Sequence, residues 1–551
     1  MLKQLLSFLF LLPLAARAQD IDVQHYVFNL QLSDSTDRIY GDALLDIRFP
    51  GANKSFTIDL VGKKGNGKGM TVQQFNGYNV ESWKQEEDKI VVQLKDGIDA
   101  NNTYHFQVKY SGIPADGLII SKNKHGERTF FADNWPNRAH HWIPCNDRPD
   151  DKASFEFRVK VPPQYTVISN GLAQADPQSV DPDKYYGARH FYYKEETPLS
   201  TKVMVIGAAR FAIKTFDDSP AGIPVSAWVY PQDSTKGFYD YAVAPSILKY
   251  FSEYIAPFPY SKLANVQSKT IFGGMENASC IFYAEESVTG DRKWEDVIAH
   301  EIAHQWFGDM ASEKSFAHLW LSEGFATYFT NLYIGQKYGA DSMRKRLYAD
   351  RKKISDFAGA NPKRAVVDST TELMSLLNAN SYDKGGWVLH MLRQQVGDKI
   401  FQQIIQRYYA TYRGGNADTR DFQRVADSVY SAEVPRAKQD ISMEEFFAQW
   451  LYRPGIPNIA FEPKSVDSRG TTYTIRQEGP LYSFPVEVQV TFDNGQKETR
   501  TFWIKDRVTD LFLGSFRNAN SVQLDPNCKL LHRGSRGASG TYWRPKRSSG
   551  F

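Results

Sequence analysis

Three features are scarce in this chain of 551 residues: cysteine, long apolar runs and a charge excess of one sign. The only cysteines are Cys145, Cys280 and Cys528, an odd number too small for a disulfide framework. We therefore expect packing to stabilise the fold without cross-links. The 66 Lys and Arg residues nearly balance the 63 Asp and Glu residues, and the excess cations lie at the two ends. This balance excludes the broad basic surface of a nucleic-acid-binding protein.

No stretch beyond the N-terminus approaches the roughly 20 apolar residues that span a bilayer. The N-terminus combines Lys3, an apolar run over residues 5–14 and the small-residue motif ARA at 16–18. This pattern is typical of an export signal cleaved before Gln19. We predict that residues 1–18 are a signal peptide and that the mature protein is periplasmic or extracellular, with no stable membrane span. The alternative is an uncleaved anchor, for which the run is short.

The length exceeds the roughly 250 to 300 residues that one core supports, so we expect several domains. Residues 19–210 alternate apolar and polar positions between Gly, Asp, Asn and Pro turns, which predicts an antiparallel β-sandwich. Residues 211–455 change to apolar positions three and four apart, which predicts a mostly α domain. Residues 456–531 return to strands and predict a small β-sandwich. Residues 532–551 are rich in Gly, Ser and Arg, which favours a flexible basic tail. The predicted class is multidomain α+β.

The helical segment WEDVIAHEIAHQWFGDM contains a candidate metal site. His300 and His304 are four residues apart, so both imidazoles leave one helix face and can reach one ion. This motif alone can arise by chance, and a catalytic zinc site needs a third protein ligand besides an open position. Glu323, nineteen residues after His304 in the second helical run HLWLSEGFATYF, can supply it. We predict one zinc ion per chain, although such ligands also accept cobalt or manganese.

Glu301 is offset by one position from the two histidines. It therefore points beside the ion, where its carboxylate can hydrogen-bond a metal-bound water. Zinc held by three such ligands lowers the pKa of that water to roughly 7. We predict that Glu301 is the general base, which then carries the proton toward the leaving group.

Five segments together resemble one family: HEIAHQWFGD, WLSEGFA, GGMEN, SYDKGG and WIPCNDRPDDKASFEF, in the order and spacing that the family uses. The family is that of the zinc aminopeptidases related to aminopeptidase N and leukotriene hydrolase, which are gluzincins. The resemblance covers about residues 20 to 530. It implies a thermolysin-like catalytic domain and peptide substrates with a free N-terminus. Oligomeric state is not implied.

The resemblance also implies further site residues. Tyr382 of SYDKGG would stabilise the tetrahedral intermediate, because its hydroxyl can donate a hydrogen bond to the oxygen on which negative charge develops. An aminopeptidase must bind an α-ammonium, and Glu276 would do so within the predicted substrate-binding segment Gly273, Gly274, Met275, Glu276 and Asn277. The paired glycines would let an extended peptide approach the backbone.

The chain departs from the family at one substrate-binding position. Relatives commonly place a second carboxylate or amide ten positions before the Cys of the PCxD motif, and that position is Trp135 here. Asp133 or Asn134 could substitute, Trp135 could cover the first side-chain pocket, or none could touch substrate. Asp309 could orient a zinc-bound histidine, as carboxylates behind metal ligands often do, or lie on the surface.

A second departure is that the chain ends too soon to include the large C-terminal helical domain that relatives often carry. We therefore expect no such domain and a more open cleft that accepts longer peptides. Three other functions compete with an aminopeptidase. An endopeptidase would not need Glu276 to bind an α-ammonium. For epoxide hydrolysis, the sequence contains no feature that favours it. A catalytically inactive binding module would be expected to lose Glu301 or Tyr382.

Overall fold

The computed structural model describes residues 21–175, 187–467, 470–514 and 519–534. The predicted signal peptide and residues 535–551 of the predicted tail lie outside the described residues. None of the described helices is both long enough and apolar enough to cross a bilayer.

The N-terminal part is made of strands, because apolar and polar residues alternate along each one. In β2, for example, Ala43, Leu45 and Ile47 are buried while Tyr40 and Leu44 face outward. The strands are β1 (Asp22–Gln31), β2 (Ile39–Arg48), β3 (Asn53–Asp59), β4 (Gly69–Gly77), β5 (Val80–Glu86), β6 (Lys89–Ile98), β7 (Thr103–Ile113), β8 (Leu118–Lys122), β9 (Arg128–Ala132), β10 (Lys152–Val161), β11 (Thr166–Ser169), β12 (Leu172–Gln174), β13 (Arg189–Ser200) and β14 (Ile206–Ala209).

These strands form three sheets, ordered β12-β13-β10-β1-β2-β7-β4, β11-β14-β9-β8 and β3-β6-β5. Pairing is antiparallel except between β1 and β10, where His25 is opposite Ser154 in a parallel register. The predicted β-rich N-terminal domain is confirmed, with this parallel pair as an addition that alternation alone does not reveal.

The central part combines helices with a sheet. Its helices are α1 (Ser234–Tyr241), α2 (Ala244–Tyr254), α3 (Glu295–His304), α4 (Trp320–Tyr338), α5 (Ala340–Ala360), α6 (Gly385–Val396), α7 (Asp398–Tyr412), α8 (Thr419–Glu433) and α9 (Met443–Phe447). Its strands are β15 (Ala212–Phe216), β16 (Val225–Val229), β17 (Leu263–Ser268), β18 (Gly274–Met275), β19 (Cys280–Ala284), β20 (Ser312–Glu313) and β21 (Asn416–Ala417).

Strands β15 to β19 form one sheet in the order β15-β16-β17-β19-β18. Within the predicted mostly α domain, the sequence indicates one strand-like segment, SKTIFGGMENASCIFY, so β15, β16 and most of β17 are missed from sequence. For β17 the reason is that it is buried at every position, and a short, fully buried run has no alternation to distinguish it from a helix. Strand β18 is the last in the order, so one of its edges is unpaired within this sheet.

The C-terminal part returns to strands: β22 (Asn458–Asp467), β23 (Gly470–Glu478), β24 (Phe484–Phe492), β25 (Lys497–Ile504), β26 (Val508–Gly514), β27 (Ala519–Leu524) and β28 (Arg533–Gly534). They form the sheets β26-β23-β22-β28 and β25-β24-β27. Between Asn458 and Gly534 the described residues include no α-helix, in agreement with the predicted small β domain.

The prediction of a flexible tail from residue 532 is wrong at its first residues. His532 is buried, and Arg533 and Gly534 pair in parallel with Asn458 and Ile459 of β22. The Gly- and Arg-rich composition misleads here because a short strand needs only backbone groups to pair with its neighbour.

The buried apolar residues form two clusters, and neither coincides with a single domain. One cluster joins the helices of the central part to the C-terminal strands. The other joins the N-terminal sheets to the central sheet, including Val266, Met275 and Phe282. The two faces of β17 and β19 thus pack into different cores, and the cleft described next lies along this junction.

Candidate active site

A cavity of about 410 Å³ lies where the N-terminal sheets meet the central helices. Its lining comes from α3, α4, α5, the segment 272–276, Trp135, Leu377 and the turn that holds Tyr382. Most of the residues predicted from sequence to act together are therefore brought to one space.

Three candidate metal-ligating atoms converge on one wall of this cavity. The Nε2 atoms of His300 and His304 are 3.0 Å apart, and Glu323 Oε2 lies 3.2 Å from the first and 3.3 Å from the second. Ligand atoms held about 2.0–2.1 Å from a zinc ion in a tetrahedron would be about 3.3 Å apart. The donor set and its spacing fit a zinc ion.

The other ring nitrogen of His304 fixes its tautomer. Nδ1 lies 3.1 Å from the carbonyl oxygen of Phe307, which can only accept a hydrogen bond, and 3.1 Å from Ser322 Oγ. Because Nδ1 must donate to this carbonyl, Nε2 keeps its lone pair and presents it to the metal position.

Asp309 matches neither of its two alternatives: the carbonyl of Phe307 lies at the outer ring nitrogen of His304, and Asp309 is fully buried instead of lying on the surface. Asp309 accepts a hydrogen bond from Gln305 Nε2 at 3.0 Å instead. A backbone carbonyl has no sequence signature, so the contact of Phe307 with His304 could not be predicted from the motif.

Helices α3 and α4 bring these ligands together for local reasons. Glu295 and Asp296 lie in the first turn of α3, where carboxylates are favoured by the helix dipole. Ile298, Ala299 and Ile302 of α3 are buried in the core that includes much of α4, so the opposite face of α3 turns its histidines toward the cavity.

Glu301 lies beside the triad, against the backbone of Gly274. A Cβ built at Gly274 would be 2.3 Å from Glu301 Oε1 and 2.5 Å from its Cδ. The glycine predicted to make room for substrate therefore makes room for the Glu301 carboxylate. This contact ties the position of Glu301 to the segment predicted to bind the peptide.

Tyr382 lies in a π-helical turn, Asn380–Lys384, that leads into α6. Its ring is nearly parallel to that of His300, with centroids 5.8 Å apart and an interplanar angle of 13°. The turn approaches α4 closely because glycines meet there: a Cβ at Gly324 would be 2.8 Å from the backbone of Gly385. Since Gly324 follows Glu323, this close approach places Tyr382 over the ligand cluster.

Glu276 follows edge strand β18, and the cavity is lined by Gly273, Gly274, Met275 and Glu276. One carboxylate oxygen from each of Glu276 and Glu301 and one ring nitrogen of His304 lie within 4.8 Å of one another. Asn277, predicted to bind substrate, is fully buried and is not part of the cavity lining. The chain turns inward after Glu276, which directs Asn277 away from the cavity.

Gln305 is a site-supporting residue that the motif analysis missed. Its Nε2 donates to the carbonyl oxygen of Glu276 at 2.7 Å, and its Oε1 accepts from the backbone N–H of Ser279 at 2.7 Å. Gln305 thereby fastens the end of α3 to the segment after β18. The sequence feature that could have identified Gln305 is its position as a neutral polar residue directly before the apolar pair Trp306 and Phe307.

Residues 133–135 are all buried but differ in their access to the cavity. Asp133 is fully buried and accepts hydrogen bonds from the N–H of Ile271 at 2.9 Å and the hydroxyl of Thr270 at 3.0 Å. Asn134 is equally buried and bonds Trp142 and two backbone carbonyls. Of the three residues, only Trp135 lines the cavity.

The electrostatics of the site favour a bound cation. Burial raises the pKa of the Glu301 carboxyl well above its usual range, and the neighbouring carboxylates of Glu276 and Glu323 raise it further. Burial likewise raises the pKa of Glu276. Burial and three nearby carboxylates raise the pKa of Tyr382 well above its usual range, so its hydroxyl remains a proton donor.

The other end of the cavity is charged. Arg346 contacts Asp296 at 2.9 Å, and Lys353 contacts Asp383 at 3.1 Å and Asp350 at 3.5 Å. Burial, with Asp350 nearby, raises the pKa of Asp383 to about 6. The cavity thus has an aromatic end at Trp135 and a charged end at α5.

Comparison with known proteins matches two segments of the chain. Residues 239–450 match the peptidase family M1 domain, and residues 23–202 match the peptidase M1 N-terminal domain. The first segment contains the metal-ligating candidates, and the second contains Trp135.

Several curated proteins are similar to the chain. They include a probable aminopeptidase 2 of Sulfurisphaera tokodaii, 26% identical over 82% of this chain and 58% of that protein. Glutamyl aminopeptidase of Homo sapiens is 29% identical over 68% of this chain and 40% of that protein. The thyrotropin-releasing hormone-degrading ectoenzyme of Homo sapiens is 26% identical over 67% and 36%. The chain therefore spans about half the length, or less, of these relatives.

Proposed function

Since the chain belongs to the M1 peptidase family, we propose that it is a zinc-dependent aminopeptidase that removes N-terminal residues from peptides. One observation carries this proposal. Two histidine nitrogens and a carboxylate oxygen converge within 3.3 Å of one another beside an edge strand that is followed by a buried glutamate.

Zinc held by His300, His304 and Glu323 would polarise the scissile carbonyl and lower the pKa of a bound water to about 7. Glu301 is next to this position, and the backbone of Gly274 limits where its carboxylate can go. In the proposed reaction Glu301 takes a proton from the attacking water and delivers it to the leaving amine.

Tyr382 serves the oxyanion. Its hydroxyl stays protonated because burial and the surrounding carboxylates raise its pKa. A protonated hydroxyl held beside the His300 ring can donate a hydrogen bond as negative charge develops on the carbonyl oxygen.

Glu276 and β18 serve substrate recognition. The free edge of β18 offers backbone groups to an extended peptide, as in strand addition. Glu276, at the end of this edge, would bind the α-ammonium and so restrict cleavage to the first peptide bond. The proposed substrates are peptides with a free N-terminus.

The test is hydrolysis of a panel of aminoacyl arylamides beside their N-acetylated forms, with metal content measured on the same protein. We expect cleavage of free amino termini only, loss with a chelator and recovery with zinc. Glu301→Gln should lower kcat about 10³- to 10⁴-fold, in the range of general acid–base catalysis. The exposed neighbour Glu286→Gln is the matched control and should behave as wild type.

The outcomes separate the competing functions. Equal cleavage of blocked and free substrates would indicate an endopeptidase. No cleavage by protein with one zinc per chain would indicate a binding module or a zinc enzyme for another substrate class.

We also propose that the protein is exported and acts in the periplasm or outside the cell. The support is the sequence pattern at residues 1–18. N-terminal sequencing of protein from the periplasmic or secreted fraction should begin at Gln19. Recovery of intact Met1 in the membrane fraction would contradict this proposal.

A further inference from the structure

We propose that Trp135 selects the first residue of the substrate and that the enzyme prefers large apolar or aromatic N-terminal residues. This inference rests on the proposed aminopeptidase function and specifies its substrate class. It is carried by the aromatic packing of Trp135 at the cavity end where Glu276 lies.

Trp135 is 2% exposed and yet lines the cavity. Its indole packs edge-to-face with Phe272 on the cavity wall, with centroids 5.9 Å apart at 88°, and with Phe316 behind it, at 5.9 Å and 75°. Edge-to-face contacts at this spacing are favourable for aromatic rings. The indole is therefore held from both sides before any substrate arrives.

The chain on either side of Trp135 is also fixed. Asn134 donates to the carbonyl oxygens of Met204 at 2.7 Å and Thr201 at 3.0 Å. Arg138 Nε donates to the carbonyl oxygen of Trp135 at 2.8 Å, and the guanidinium of Arg138 lies over Phe272, 5.8 Å from the ring centroid. A wall made rigid in this way can discriminate between side chains by shape, because it does not re-form around each one.

The same end of the cavity is apolar apart from Glu276. Trp135, Phe272, Met275 and Leu377 line it. In a bound peptide the first Cα lies between its ammonium, at Glu276, and its carbonyl, at the metal position. In the proposed binding mode the first side chain leaves toward the wall that includes Trp135 and Phe272.

The charges present argue for the same preference. Asp133 and Asn134, the polar neighbours of Trp135, are fully buried and committed to Thr270, Ile271 and Trp142. Lys202, behind Phe316, is buried and paired with Glu313. An acidic first side chain would thus meet an apolar wall beside Glu276, and burying a charge without a partner is costly.

The experiment compares kcat/KM for Phe-, Leu-, Ala-, Glu- and Arg-arylamides in wild type, Trp135→Ala and Trp135→Phe. Wild type should favour Phe and Leu over Ala by about 10- to 100-fold, the range that apolar pockets achieve. Trp135→Ala should lower the Phe-to-Ala ratio about tenfold or more, and Trp135→Phe should lower it by less. Trp83→Ala, a tryptophan outside the cavity lining, should leave the ratio unchanged.

Thermal melting of each variant shows whether it is folded, and Trp135→Phe carries the test if Trp135→Ala is not. A folded Trp135 variant with an unchanged ratio overturns the inference, as does a wild type that prefers Glu or Arg. In those cases the free-amino requirement still stands and the proposed function survives. Equal cleavage of N-acetylated substrates would instead overturn the proposed function, and this inference with it.

Discussion

The two walls of the cleft are built in different ways. The helical wall, His300, Glu301, His304, Glu323 and Tyr382, comes from α3, α4 and the turn before α6, which pack in one core. The strand wall, Gly273–Glu276 with Trp135, is held by residues distant in the chain, such as Asp133 bonding Ile271 across 138 positions. The proposed chemistry therefore depends on local helix geometry, whereas the proposed recognition of the substrate depends on how the domains meet.

The largest effect should come from removing a metal ligand of the helical wall. Glu323→Ala leaves two histidines, fewer than the three protein ligands that a catalytic zinc site uses. We expect loss of bound zinc and a fall in kcat/KM of about 10⁴-fold or more, since both the metal and the general base depend on it. Zinc per chain and arylamide hydrolysis measure this, with Asp341→Ala, on the exposed start of α5, as control. If the Glu323→Ala variant kept one zinc per chain, Glu323 would not be a zinc ligand.

The second-largest effect should come from removing the hydroxyl of Tyr382, in the helical wall. Tyr382→Phe keeps the ring beside His300 but removes the donor, so kcat should fall about 10²- to 10³-fold while KM stays nearly constant. Steady-state kinetics on a free-amino arylamide separates the two constants. A rise in KM at constant kcat would move Tyr382 from the chemistry to substrate binding.

The contact between the walls predicts a smaller effect that tests whether they are independent. Gly274 belongs to the strand wall, yet a Cβ there would meet the Glu301 carboxylate at 2.3 Å. Gly274→Ala should therefore lower kcat, by about 10- to 100-fold for a displacement near 1 Å. Gly359→Ala, where a Cβ in α5 meets only Arg533 at 3.9 Å, is the control. An effect confined to KM would show that the strand wall acts only through substrate.

The smallest expected effect concerns the fastening of the strand wall. Gln305→Leu removes the bonds to Glu276 O and Ser279 N and leaves both buried groups unsatisfied, at about 1–3 kcal/mol each. We expect a lower melting temperature and a KM about tenfold higher, with kcat changed less because the side chain of Gln305 hydrogen-bonds Glu276, Ser279, Glu301 and Asp309 and none of the three proposed metal ligands. An equal loss of kcat would mean that Gln305 also supports the helical wall.

The part of the helical wall on α3, which holds His300, Glu301 and His304, could be predicted from sequence because its spacing is local. His300 and His304 are four positions apart, and a helix places residues at that spacing on one face. Tyr382 and Glu276 required a family resemblance, since nothing in their own segments fixes where they lie in space.

The strand wall was predictable only in part. The segment around β18 was expected to lie along substrate, but Asn277 faces inward and Gly274 serves Glu301. The choice among Asp133, Asn134 and Trp135 depended on contacts with Thr270, Ile271 and Thr201, and sequence spacing carries no information about such pairs. Strand β17 of the central sheet was missed for the related reason that a fully buried strand shows no alternation.

Because β17 and β19 contribute to both hydrophobic cores, the peptidase domain cannot be separated from the N-terminal domain without exposing apolar residues. A fragment beginning near Ala212 would contain every proposed zinc ligand, yet it would expose Val266, Met275 and Phe282 to water. A newly bared apolar face of this kind promotes aggregation. An isolated peptidase domain, or a chimera with a different N-terminal domain, would therefore need a redesigned interface at these apolar residues before it could fold and be active.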